Sequence, residues 1–167
     1  MWSRLSRWLS RRDAQRLRRM YAGGAGNATA RRYARLWAWA FGKGLVGERW
    51  ITLEVPGRTS GRPTRFPLGV TRVDGQDYLG AMLGDRCNWV RNVRANGGRA
   101  VIERRGRRAV QLVEIPPAQR APLLKQFLDQ VPGARPHLPV AHTSPVADFE
   151  PVAAAYPIFR VDPAPGD

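Results

Sequence analysis

The chain has 167 residues, enough for one domain with a sizeable core but too few for two ordinary domains joined by a linker. Hydrophobic residues make up 43% of the sequence and charged residues 25%, which is typical of globular proteins and excludes a chain that is disordered throughout. The net charge of +15 is unusual, and only two of the 28 basic residues are lysines, Lys43 and Lys125. Such a charge predicts an anionic partner: nucleic acid, anionic lipid or an anionic cofactor.

The cysteine content and the N-terminus bear on the cellular compartment. Cys87 is the sole cysteine, so neither a disulfide within the chain nor a zinc site built from several cysteines can form. Arginines interrupt every apolar run near the N-terminus, which argues against a signal peptide. No apolar segment approaches the roughly 20 residues that a membrane-spanning helix needs. We therefore expect a cytoplasmic protein.

Residues 1–21 combine apolar side chains, among them Trp2 and Trp8, with many arginines at the spacing of a basic amphipathic helix. This helix fits two hypotheses. It lies on an anionic membrane surface, peripheral to the inner face, or it packs against its own domain or a partner. A glycine-rich break follows over 22–28, and a second helix is predicted over 29–41. We expect an N-terminal extension, 1–28, and one folded domain, 29–167.

The remaining sequence is dominated by short runs with the alternation of β-strands. The predicted strands are 50–55, 66–70, 78–83, 100–102, 109–113 and 157–161. Turn signals at Asp74-Gly75 and Arg105-Gly106 predict hairpins. The predicted helices are 88–95, 117–130 and 146–155, with a loop over 136–145. We expect a mainly β (α+β) fold: an antiparallel barrel of about six strands, with helices packed outside it and a helical N-terminal extension.

The turn between the first two predicted strands, 57–65, is rich in glycine and arginine. Glycine lets the backbone approach a ligand closely, and the planar guanidinium of arginine matches phosphate or carboxylate. The turn is therefore a candidate anion site. A solvated arginine-rich loop without a ligand fits the same residues equally well.

Several motifs occur here in a characteristic order. They are Gly57-Arg58-Thr59-Ser60-Gly61-Arg62-Pro63, Pro67-Leu68, Asp74-Gly75 and Asn88-Trp89-Val90-Arg91-Asn92-Val93-Arg94-Ala95-Asn96. Together they resemble the deazaflavin-dependent nitroreductase family over about residues 50–115, and more loosely beyond. The resemblance implies a split β-barrel and a deazaflavin-dependent oxidoreductase. Reduced coenzyme F(420), which carries a phosphate and a polyglutamate tail, would pass a hydride to an electron-poor quinone or nitro compound.

The resemblance also implies a set of cofactor-binding residues in the turn, after the third strand and on the helix 88–95. They are Arg58, Thr59, Ser60, Gly61, Arg62, Arg65, Met82, Leu83, Asn88, Trp89 and Asn92. Arg58 and the backbone amides of 59–61 would hold the phosphate, and the two later arginines the tail carboxylates. Met82 and Leu83 would lie against the ring. Asn88 and Trp89 would close the pocket, with Asn92 fixing the helix or the cofactor.

Two residues of the turn depart from the family pattern. Thr59 replaces a second basic residue, and Thr64 stands where an arginine often follows the proline. Arg65 is one residue further along. Because strand side chains alternate, Arg65 is expected on the opposite face unless a bulge intervenes.

No catalytic dyad or metal-ligand spacing is evident, and hydride transfer from a cofactor asks mainly for orientation and exclusion of water. Tyr156 fits a proton donor or a packing residue equally well. The alternatives are a split barrel that holds FMN or haem, FMN being the less favoured cofactor, and a non-enzymatic basic module on anionic membrane or nucleic acid. Nucleic acid is least favoured, because the tryptophans cluster in the N-terminal helices. A homodimer is a further expectation.

Overall fold

The computed structural model describes residues 49–166. The predicted helices over 1–21 and 29–41, and the predicted boundary at residue 28, lie outside this range. Six β-strands account for most of the regular structure within it. They are β1 (Trp50–Pro56), β2 (Pro63–Val73), β3 (Gln76–Gly80), β4 (Arg99–Glu103), β5 (Arg107–Glu114) and β6 (Ile158–Pro163).

The strands form a closed antiparallel barrel in the order β1-β2-β3-β6-β5-β4. β1 closes it by pairing with β2 on one side and β4 on the other, so that Leu53 lies opposite both Phe66 and Ile102. Asp74 and Gly75 both have positive φ, at 49° and 80°, as the predicted two-residue hairpin requires. The predicted six-stranded split β-barrel is confirmed.

The third strand ends earlier than predicted. β3 stops at Gly80, where a Cβ atom would lie only 2.8 Å from the ring of Phe127. The chain then turns, with the Gly84 amide donating to the carbonyl of Ala81 at 2.9 Å. Met82 and Leu83 therefore lie in a turn beyond the strand rather than at its end.

The barrel interior is filled by alternate residues of the strands and by one helix, α1 (Asn88–Ala95), whose bounds match the prediction. The inward residues predicted for this helix, Trp89, Val90 and Val93, are all buried. The ring of Trp89 packs on Phe159 with centroids 5.3 Å apart and planes tilted by 60°. The helix thus belongs to the core and is fixed to the barrel.

A second core lies outside the barrel, under α2 (Arg120–Gln130) and the 3₁₀ segments around it. The predicted helix 117–130 is confirmed, with a 3₁₀ first turn at Pro117–Gln119. The predicted helix over 146–155 is a 3₁₀ segment that contains a proline, and the predicted loop after 136 overlaps a 3₁₀ segment at Pro132–His137. Within residues 49–166, no helix has the length and apolar character needed to cross a bilayer.

Candidate functional site

The turn that joins β1 to β2 is closed by its own backbone. The Gly57 amide donates to the carbonyl of Arg62 at 2.8 Å, and the Gly61 amide donates to the carbonyl of Gly57 at 2.7 Å. The Gly61 amide is therefore already bonded within the turn. By contrast, the amides of Thr59 and Ser60 have no hydrogen-bond partner among residues 49–166. Two exposed donors at the tip of a fixed turn are suited to an anion.

Arg58 is held in place by α1. Its backbone amide and its Nη1 both donate to Oδ1 of Asn92, at 3.3 and 3.1 Å, and Nη1 also donates to Oδ1 of Asn88 at 3.4 Å. Asn92 is only 4% exposed, so burial fixes its orientation. These bonds engage one nitrogen of the guanidinium and leave Nε and Nη2 without partners in the described part of the chain. Arg58 is thus oriented before any ligand arrives, which lowers the cost of binding.

Three further arginines, in this turn, in the segment before α1 and on α1, have no acidic partner in the part of the chain that the structure describes. They are Arg62, Arg86 and Arg91, all exposed. Arg91 lies three residues after Asn88, so the two share one face of α1. Arg86 and Arg91 were not predicted from the sequence as site residues. The helical spacing from Asn88 was the available signal for Arg91.

Arg65 belongs to a different cluster. Pairing between β1 and β2 runs without a bulge, so Arg65 lies opposite Glu54 on the outer face, while Leu53 and Phe66 face the interior. Its Nε lies 2.8 Å from Glu54 and its Nη2 3.1 Å from Glu103. Arg107 binds the same two carboxylates. Hydrogen bonding to Arg107, supported by Arg65, keeps the pKa of Glu54 below its usual value despite partial burial.

Arg65 thus takes part in a different cluster from the contacts of Arg58. Because side chains alternate along a strand and no bulge intervenes, the side chain of Arg65 lies on the outer face, as expected from the sequence. A ligand anion would have to displace two protein carboxylates to bind Arg65.

The residues expected near a cofactor ring divide between two environments. Met82 packs against the outer core and Leu83 against the barrel core, each half-buried. Asn88 is exposed beside Arg58, but Trp89 is only 5% exposed and lies within the core. Trp89 therefore packs within the barrel core, against Phe159.

The side chains with acid-base or nucleophilic potential are engaged elsewhere. Burial raises the pKa of Cys87 to about 11, so its thiol is neutral at physiological pH. The hydroxyl of Tyr156 donates to the carbonyl of His137 at 3.1 Å, and burial raises its pKa. His142 lies 3.2 Å from Asp129. No three potential metal ligands cluster anywhere within 49–166.

The closed six-stranded barrel places this protein among the split β-barrels. Two solved structures share the fold with TM-scores of 0.50. One is a domain-swapped dimer, 14% identical over 80% of this chain and 96% of that chain. The other is the protein Atu2129 of unknown function from Agrobacterium tumefaciens, 15% identical over 78% of this chain and 53% of that chain. At these identities the similarity shows the fold alone.

A third solved structure, an F(420)-H2 dependent reductase (FDR-A), is 16% identical over 69% of this chain and 95% of its own, with a TM-score of 0.46. No curated protein matches the sequence. Residues 23–139 match the F(420)H(2)-dependent quinone reductase family, and the chain belongs to that family. It is an oxidoreductase whose cofactor is coenzyme F(420). The donor set of Arg58 and the two unpartnered amides fits the phosphate of this group.

Proposed function

We propose that this protein reduces a quinone or a nitro compound with hydride from reduced coenzyme F(420), held at the Arg58 turn. The observation that carries the proposal is the pair of unpartnered amides, Thr59 and Ser60, beside an arginine that buried Asn92 already orients. When bound, the deazaflavin supplies the hydride. The protein's contribution is to bind, to orient and to exclude water.

The phosphate is assigned to Arg58 and the amides of Thr59 and Ser60. A charge-assisted bond from the free side of the guanidinium, together with two backbone donors, gives a three-sided contact. Tail carboxylates are assigned to Arg62 and Arg91, which are exposed and lack acidic partners among the described residues. Arg65 contributes least, because Glu54 and Glu103 already occupy it.

The ring is assigned to the segment between β3 and α1. Met82 and Leu83 are half-buried there and offer an apolar surface, while Asn88 offers a polar edge beside Arg58. These two half-buried side chains would contact the ring without placing a charged group beside it. Beside this segment, burial raises the pKa of the Cys87 thiol, and the hydroxyl of Tyr156 donates to the carbonyl of His137.

Turnover tests the proposed reaction. With the full chain and reduced F(420), we expect menadione to cause protein-dependent return of the absorbance of oxidised F(420), and a nitroimidazole to do so more slowly or at a similar rate. NADH in place of reduced F(420) serves as the control and is expected to give no menadione reduction. Oxidation at the protein-free rate with both acceptors would refute the proposed reaction.

We further propose that residues 1–21, which lie outside the described residues, bring the protein to anionic membranes, where lipid quinones reside. Their tryptophans and arginines motivate this proposal. The full chain is expected to bind anionic vesicles in a salt-sensitive manner, and a chain lacking 1–21 is expected to lose this binding while retaining turnover with soluble acceptors. Equal vesicle binding by both chains would contradict the proposal.

A further inference from the structure

The end of the barrel opposite the Arg58 turn contains a recess of about 260 Å³. Its floor is apolar and belongs to the barrel core: Ile51, Val70, Ile102 and Val161 line it, and each is at most 6% exposed. Its rim is formed by the hairpin between β4 and β5, with Arg104, Arg107 and Arg108, and by Asp77 of β3. An apolar floor below a cationic rim is the arrangement that an anionic amphiphile requires.

The rim follows from the register of the barrel. The interior positions Ile51, Val70, Leu79, Ile102, Val110 and Val161 each belong to a different strand and are buried. Because side chains alternate, the position two residues further toward this end of each strand shares the inward direction. Within the strands these positions are Arg72, Asp77, Arg108 and Pro163, and Arg49 and Arg104 lie one residue beyond the ends of β1 and β4. Of these residues, Asp77, Arg104 and Arg108 line the recess.

The charge of this rim is only partly balanced within the described residues. Arg72 neutralises Asp77 through two bonds, at 2.7 and 3.1 Å. Arg107, which also lines the recess, binds Glu54 and Glu103 on the outer face. Arg49 and Arg108 have no acidic partner among residues 49–166. The rim consequently carries a surplus of positive charge directly above apolar side chains.

We propose that this recess binds a small anionic amphiphile, with a carboxylate at Arg108 and a short alkyl chain on the floor formed by Ile51 and Ile102. The recess is below the roughly 300 to 1,000 Å³ that larger organic ligands occupy, which favours a short chain. Charge complementarity favours the anion over a neutral apolar molecule.

The recess is separate from the proposed cofactor site. β1 runs from the recess at Ile51 to the Arg58 turn after Pro56, and five residues of strand span roughly 17 Å. The inference therefore does not rest on the proposed function.

Calorimetric titration of the full chain with octanoate tests the proposal. We expect saturable binding by the parent protein and about tenfold weaker binding by Arg108→Gln, the effect of losing one charged contact. The matched control is Arg105→Gln, which removes the same charge from the same hairpin at an exposed residue that does not line the recess. This control is expected to bind octanoate like the parent.

Two further probes separate the contributions of charge and chain. Acetate and 1-octanol, which each lack one half of the amphiphile, are expected to bind at least tenfold more weakly than octanoate. Octanol binding as tight as octanoate, an equal effect of Arg105→Gln and Arg108→Gln, or no octanoate binding by the full chain would each overturn the proposal.

Discussion

Replacing Arg58 by alanine is expected to weaken the binding of reduced F(420) by about 1 to 3 kcal/mol, which corresponds to roughly 5- to 150-fold in the dissociation constant. The substitution removes the guanidinium that Asn88 and Asn92 of α1 hold against the turn, and with it a charge-assisted bond to the phosphate. Quenching of tryptophan fluorescence during an anaerobic titration measures the change.

Arg65→Ala is the matched control for this prediction. It removes the same charge only seven positions away, but from a guanidinium that faces outward and already binds Glu54 and Glu103. Its effect on cofactor binding is expected to be within about threefold, since exposed ion pairs contribute little. If Arg65→Ala weakens binding as much as Arg58→Ala, the assignment of the phosphate to the Arg58 turn is wrong.

Replacing Arg120 by alanine is expected to lower the free energy of unfolding by about 3 kcal/mol. Arg120 is only 4% exposed, and its guanidinium donates to the carbonyl of Ile115 at 2.7 Å and to that of Ala153 at 3.3 Å. These buried acceptors lose their donor in the variant. Urea unfolding followed by circular dichroism measures the loss.

The same arginine connects the outer core to the candidate site. Its Nη2 lies 2.9 Å from Glu114, whose Oε1 also lies 2.6 Å from Arg94 of α1. Arg94 in turn pairs with Asp85 at 2.7 Å, in the segment that leads into α1. The variant is therefore expected to loosen α1 and to weaken cofactor binding through Asn92.

Arg72→Ala is the control for the stability measurement. Arg72 forms an ion pair with Asp77 at 2.7 Å, but more than half of its side chain is exposed, so the expected loss is below about 1 kcal/mol. If Arg72→Ala and Arg120→Ala lower the free energy of unfolding equally, the burial of Arg120 does not determine how much this residue stabilises the protein.

Local sequence chemistry predicted the elements that depend on neighbouring residues. The helix 88–95 was predicted with its observed bounds, because Trp89, Val90 and Val93 recur on one helical face. The hairpin at Asp74-Gly75 was predicted because both residues tolerate positive φ. The end of β3 was missed, because the contact that shapes Gly80 comes from Phe127, far along the chain.

In the candidate site too, features set by neighbouring residues were predicted and contacts between distant residues were not. Glycine and arginine content identified the turn, and strand alternation anticipated the outward direction of Arg65. The contact between Arg58 and Asn92 joins residues 34 positions apart, so no local pattern contains it. The arginines at the rim of the recess are likewise brought together by strand pairing, which no local pattern contains.

Anaerobic titration of the full chain with reduced F(420) tests the central claim most directly. We expect saturable quenching of tryptophan fluorescence at micromolar cofactor, with weaker binding when inorganic phosphate or salt is added, because the turn recognises a phosphate by charge. FMN and haem under the same conditions are expected to bind more weakly. Tight binding of FMN or haem without binding of F(420) would contradict the account.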